Sequence, residues 1–234
     1  MTATIAAAAR AVAAPGTEIV AATATTGPVS IEGHYDEAVA AVGMLQDLRA
    51  GEAKGCDGYV LACFGDPGLL AAREAVHGPV IGIAEAAMHA ASFVATGFSV
   101  VTTLGRTRVI AEHLVRAYGM EHHCRRVRAT DLAVLELEDP RSDARARILD
   151  ECRRALDEDG SGAIVLGCAG MADLARDLSN ELGVPVIDGV GVAVKFVEAL
   201  VSLGLTTSKR GDLASPIAKP FLGPLATMSF LRRG

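Results

Sequence analysis

Tryptophan is absent, and aromatic residues make up only 4% of the chain. Stacking platforms for single-stranded nucleic acid are therefore not expected. A net charge of −6 argues the same way against a phosphate backbone as partner. Half of the residues (50%) are apolar, yet no run of about 18 uncharged apolar residues occurs, which excludes a membrane-spanning helix. No CxxC pair exists, and the five cysteines (Cys56, Cys63, Cys124, Cys152 and Cys168) are odd in number, so neither a disulfide framework nor a zinc ribbon is expected. Free thiols point to a reducing, cytoplasmic setting. The opening MTATIAAAARAVAAPG has no basic residue before Arg10 and no Leu/Val-rich centre, unlike an export signal. It reads as an Ala-rich helix ended by Pro15-Gly16. With 234 residues and 21% charged, the chain is neither disordered nor dependent on staples, and suits one domain or two small lobes.

What is present is an alternation of strand and helix. TEIVAATA (17–24) predicts a strand, and 34–50 a helix, with Val39, Val42, Leu45 and Leu48 at helical spacing. GYVLACF is a short continuous apolar run of the kind found in parallel strands buried on both faces. Asp66-Pro67 then reads as N-cap and first residue of a helix, PGLLAAREAVH. Strands are expected at PVIGI (79–83), FSVVTTL (98–104), CRRVRAT, AIVLGCA and PVID. Helices are expected at AEAAMHAASFVA, TRVIAEHLVRAYG, RSDARARILDECRRALDEDG, MADLARDLSNELG and GVAVKFVEALVSLG. The pattern predicts an α/β fold with parallel sheets and right-handed crossovers.

An internal repeat carries the most information. YVLACFG (59–65) and IVLGCAG (164–170) align at an offset of 105 residues, and Pro79-Val80-Ile81 and Pro185-Val186-Ile187 follow at 106. Two related halves are implied. Each places a cysteine at the C-terminal end of a parallel strand, where open α/β sheets bind ligands. A following helix N-terminus is expected to favour thiolate and to offer backbone N–H groups to an oxyanion. If the lobes face each other, Cys63 and Cys168 flank one pocket and can exchange protons on opposite faces of one carbon. A lone cysteine is usually a small buried hydrophobe, the reading kept for Cys56, Cys124 and Cys152. His122-His123-Cys124 is read as a solvated loop, since adjacent residues seldom converge on one ion, and no metal is expected. Gly189-Val190-Gly191 lacks the third glycine and the acidic partner of a dinucleotide fingerprint. Arg125, Arg126 and Arg128 are read as an exposed edge, and the charges of 136–159 as a solvated face.

LACFGDPGL, IVLGCAGM and GPVSIEGHYDEA (27–38) together resemble the aspartate/glutamate racemase superfamily, within it the hydantoin and allantoin racemase branch. VTTLGRT (101–107), PVIDGVGVAVK (185–195) and KPFLGP (219–224) extend the resemblance over essentially the whole chain. The resemblance implies two pseudo-symmetric lobes, residues 1–90 with 195–234 and residues 91–194, with the active site between them. It also implies cofactor-independent racemisation with Cys63 and Cys168 as the acid/base pair. Phe64, Gly65, Ala169 and Gly170 would supply loop and backbone donors, Thr102 and Thr103 hydroxyls, and Ser30 and Ile31 a side-chain pocket. The expected substrate is a 5-substituted hydantoin, whose C–H lies beside a ring carbonyl. Each oxyanion donor would contribute roughly 3–4 kcal/mol. No arginine falls inside the two cysteine motifs or GPVSIEGHYDEA, which favours a neutral ring over a free acidic amino acid. Having both cysteines departs from the arylmalonate decarboxylase pattern. A homo-oligomer is expected.

Relatives in this family begin with a hydrophobic strand and an Asn-Pro-Asn-Thr-type loop ahead of the segment matching Met1-Thr2. The family's N-terminal Asn therefore has no counterpart among these residues, and a polypeptide starting at Met1 is expected to aggregate or lack activity until upstream residues are restored. Two rival readings remain open here. An aspartate/glutamate racemase or maleate-isomerase-like enzyme would use the same scaffold. A flavodoxin-like binding module would have sluggish thiols, whereas catalytic thiols are expected to alkylate rapidly.

Overall fold

The computed structural model describes residues 1–139 and 141–230. Helix α1 (Thr2–Val12) uses the Ala-rich opening and buries Ala6 and Ala9. Helix α2 (His34–Ala53) opens with Asp36 and Glu37 in its first turn, where acidic side chains suit the helix dipole. Strand β1 (Tyr59–Leu61), helix α3 (Leu69–Ala75), strand β2 (Val80–Gly82) and helix α4 (Ile83–Val94) follow. Next come β3 (Phe98–Thr102), α5 (Arg108–Ala117), β4 (Cys124–Ala129) and α6 (Ala144–Asp159). The chain continues through β5 (Ala163–Gly167), α7 (Ala175–Leu182), β6 (Val186–Ile187) and α8 (Gly189–Ser202). Gly160 and Gly183 end α6 and α7 at φ 64° and 69°, the left-handed turn that glycine adopts without strain. No helix among the described residues is long and apolar enough to cross a membrane.

All pairings between these strands are parallel. β1 and β2 form one sheet, and β4-β3-β5-β6 form the second. Every residue of β3 and β5 is buried. Alternate side chains of β5 serve opposite layers: Val165 packs with Ile83, Met88 and Val190, whereas Ile164 and Leu166 pack with Ile148, Cys152 and Leu178. A separate cluster joins Tyr59, Leu61 and Val80 of the first sheet to Leu48, Leu69 and Val76.

The repeat is visible bond for bond. Tyr59 pairs with Val80 in the first sheet as Ile164 pairs with Val186 in the second. Tyr59 N–H donates to the Pro79 carbonyl and Ile164 N–H to the Pro185 carbonyl, both at 2.9 Å. Helices α4 and α8 leave β2 and β6 at equivalent points and pack on each other. Gly189 permits this approach, because a Cβ there would collide with the Ile83 carbonyl. Helix α8 also packs back on β1 and β2, and α4 reaches β5 in the other sheet.

Three local expectations change. Residues 17–24 form no strand and are mostly exposed, Val20 among them. Their repeat counterpart is β4, which is held by β3. No strand among the described residues lies beside 17–24, and an unpaired strand has no ladder to stabilise it. Asp66 does not cap α3, whose N-cap is Gly68 at φ 71°. Its carboxylate instead accepts from Ala84 N–H (3.1 Å) and Glu85 N–H (2.9 Å), the open N-terminus of α4. Arg128 is not an exposed edge. It is 5% exposed, and its guanidinium is held by Asp159, Glu158 and Glu151 from α6, at 2.6–3.1 Å. The face at 136–159 is thus solvated only in part. Of the expected first-lobe segment 195–234, residues 231–234 lie outside the described residues.

Candidate active site

Cys63 and Cys168 sit just beyond the C-terminal ends of β1 and β5, in the same kind of turn. The Cys63 carbonyl accepts from Asp66 N–H at 3.0 Å and the Cys168 carbonyl from Met171 N–H at 3.1 Å. In each turn the N–H two residues on, of Gly65 and of Gly170, lies against the sulfur. Both cysteines line one cavity of about 240 Å³ between the two sheets.

The cavity brings together nine of the ten expected site residues: Cys63, Phe64 and Gly65; Thr102 and Thr103; Cys168 and Ala169; Ser30 and Ile31. Gly170 stands behind the wall, where a Cβ would come within 3.0 Å of Leu137 Cδ1. The Thr102 hydroxyl is already committed, donating to the Gly167 carbonyl at 3.0 Å. Thr103 makes no such side-chain bond among the described residues. Ser30 donates to Glu32 Oε1 (3.3 Å), which also accepts from Val134 N–H (3.2 Å). The loop carrying Ser30 and Ile31 is thereby tied to the other side of the cavity. Sequence reasoning missed the walls from Thr107, Ile110 and Val134, and it missed Glu37. Glu37 stands inside GPVSIEGHYDEA, but nothing in that segment distinguishes it from the acidic residues around it.

Neither thiol is poised as thiolate. Burial pushes Cys63 up to about 12; the Gly65 N–H opposes this, while the charges of Cys168, Asp66 and Glu37 add to it. Burial likewise pushes Cys168 up to about 11, with the Gly170 N–H opposing. The expected helix-terminus effect is missing at Cys63 because α3 starts only at Leu69. At Cys168 a short 3-10 turn (Ala169–Leu174) follows, and a single N–H does not offset desolvation. Burial also raises the Asp66 carboxyl to about 6, against the hydrogen bonds from Tyr118, Glu85 and Ala84.

Residues 1–197 match the profile of the family described as Asp/Glu/Hydantoin racemase. A hydantoin racemase of Rhizobium meliloti is 52% identical over 207 residues, covering 88% of this chain and 86% of its own length. Among solved structures, the allantoin racemase from Klebsiella pneumoniae superposes with a TM-score of 0.96 at 62% identity, covering 97% of this chain and 93% of its own. An allantoin racemase from Pseudomonas fluorescens gives 0.91 at 41% identity, with 95% and 94% covered. In fold and in sequence the chain is thus similar to such proteins over nearly its whole length, and it belongs to the Asp/Glu/hydantoin racemase family.

Proposed function

We propose that this chain racemises the C5 centre of 5-substituted hydantoins, a class that includes 5-ureidohydantoin (allantoin), by proton transfer between two cysteines and without a cofactor. The observation that carries this is the placement of Cys63 and Cys168 in equivalent turns facing one cavity. One sulfur, as thiolate, takes the proton from C5. The electron pair moves onto the adjacent ring carbonyl as an enolate-like anion. The other thiol gives its proton to the opposite face, and the two sulfurs exchange roles. Backbone N–H groups of the two cysteine loops and the Thr103 hydroxyl are the donors within reach of the developing oxyanion.

Among the described lining residues there is no lysine or arginine side chain. A free aspartate or glutamate would bring two carboxylates into an apolar cavity with no side-chain counter-charge, at a large desolvation cost. A neutral ring avoids that cost. The enzyme is expected to work in the reducing cytoplasm as a homo-oligomer. Its five cysteines are free, and the exposed Ile217 and Leu222 offer apolar surface that a second copy would cover.

Polarimetry with enantiopure 5-isopropylhydantoin, allantoin, aspartate and glutamate, and product analysis with maleate, separate the readings. Loss of rotation with the hydantoins alone is expected. Cys63→Ser and Cys168→Ser should each abolish racemisation while retaining deuterium exchange at C5 of one enantiomer. Full activity in either variant defeats the two-base mechanism.

A further inference from the structure

Glu37 is the only charged side chain among the described residues that line the cavity. It comes from the first turn of α2, where the helix dipole favours a negative charge. Among the described residues the only charged or hydrogen-bonding side-chain partner of its carboxylate is His34 Nδ1, at 3.5 Å, and that imidazole is largely exposed. Gly65 lets it come close to the Cys63 loop, because a Cβ at that position would collide with Glu37 Oε1. Its charge acts on the Cys63 sulfur, and its own burial raises its pKa. A partly desolvated carboxylate beside the reacting thiol, with little internal donation, is an acceptor awaiting a donor.

A hydantoin offers such donors. Its ring carries two N–H groups, one bonded directly to C5. We propose that Glu37 is the substrate-orienting acceptor of this site, taking a hydrogen bond from a ring N–H and thereby fixing C5 between the two thiols. This rests on the racemase reading above and gives it a recognition element. The same carboxylate selects for neutral N–H donors and against carboxylate substrates.

The test uses the full chain with 5-isopropylhydantoin and with the same compound methylated at each ring nitrogen in turn. Glu37→Gln keeps the shape of the side chain and removes its charge; Glu37→Ala removes the acceptor. Loss of a charge-assisted hydrogen bond should raise KM by about 10- to 100-fold, with a smaller change in kcat. One of the two N-methyl compounds should be a poor substrate for the unaltered enzyme, and that handicap should shrink at least tenfold in Glu37→Ala. Thermal melts of both variants check that they fold. Should Glu37→Gln fail to fold, the N-methyl comparison on the unaltered enzyme still decides: indifference to both methyl groups overturns the proposal. If the unaltered enzyme racemises the hydantoin but KM and N-methyl discrimination are unchanged in the variants, Glu37 has no such role and the racemase reading stands. A shift only in the pH profile of Cys63 alkylation would likewise overturn it, since that outcome means Glu37 merely holds Cys63 protonated. If the unaltered enzyme racemises no hydantoin, both readings fall.

Discussion

A thiol held near pKa 12 is thiolate in roughly one molecule in 10⁵ at pH 7. That population is small, and the greater strength of the base only partly offsets it, since general-base catalysis is most efficient when the pKa lies near the working pH. At rest both sulfurs therefore carry protons, and reactivity is limited by ionisation. Alkylation of Cys63 and Cys168 by iodoacetamide should be slow at pH 7 and rise about tenfold per pH unit until close to 11–12. Mass spectrometry of quenched time points reads this site by site; a rate that levels off near pH 8 would mean that the thiols are not held up by burial. Sequence alone set rapid alkylation as the mark of catalytic thiols; burial of both sulfurs removes that mark, so slow alkylation at pH 7 does not favour a binding module over an enzyme. Strand-end placement was legible, but the depth of the cavity was not. Which residues would matter divides the same way. Cys63 and Cys168 stand out because they recur at one offset. Glu37 does not recur, and its role depends on Gly65 leaving room, a contact between distant segments.

The helices show how one structural need is met by two different side chains. The N-termini of α4 and α8 expose equivalent N–H pairs, at Ala84 and Glu85 and at Val190 and Gly191. In α8 the N-cap Asp188 satisfies them locally, at 2.9 and 2.7 Å. In α4 the N-cap is Gly82, and Asp66 reaches in from the Cys63 turn. A Cβ at position 82 would strike the Asp66 carboxylate. Asp66 takes φ 43° to do so, a conformation that aspartate tolerates better than most side chains. The local pattern Asp-Pro signalled a helix start and was right about the need for a cap, but the helix capped lies in another segment. Because the folded-state pKa of Asp66 is raised from 3.8 to about 6, its contribution to stability is fully present below pH 3.8 and lost as pH rises through 6. Asp66→Asn removes that titration. The stability of the parent minus that of Asp66→Asn should therefore fall by roughly 2 kcal/mol between pH 4 and 7, as measured by urea unfolding. A difference that grows with pH would show that its hydrogen bonds outweigh burial.

At the scale of the whole molecule, the halves are joined by the crossing of α4 and α8. Gly189 has the Ile83 carbonyl where its own side chain would be. Gly189→Ala should destabilise the protein by about 1–3 kcal/mol through overpacking and lower kcat/KM by moving the two cysteine turns apart. Gly162→Ala, whose Cβ would meet Ala95 Cβ at 3.4 Å, should be nearly silent. Equal melting temperatures for the two variants would place the joint elsewhere. The fold class and the doubling were readable in the sequence, since buried parallel strands announce themselves as continuous apolar runs and the repeat fixes their pairing. The strand expected at 17–24 failed because strand propensity says nothing about the presence of a neighbour.

The two thiols share a turn but not a neighbourhood: Cys63 feels Asp66 and Glu37, whereas burial and the Gly170 N–H set Cys168. Mirror-image substrates have equal free energies in water, so the equilibrium constant for a single stereocentre is one. Detailed balance then forces kcat/KM to be identical for the two enantiomers, however unequal the sulfurs. The asymmetry of the site must surface elsewhere, as a faster turnover of one hand matched by its weaker apparent binding.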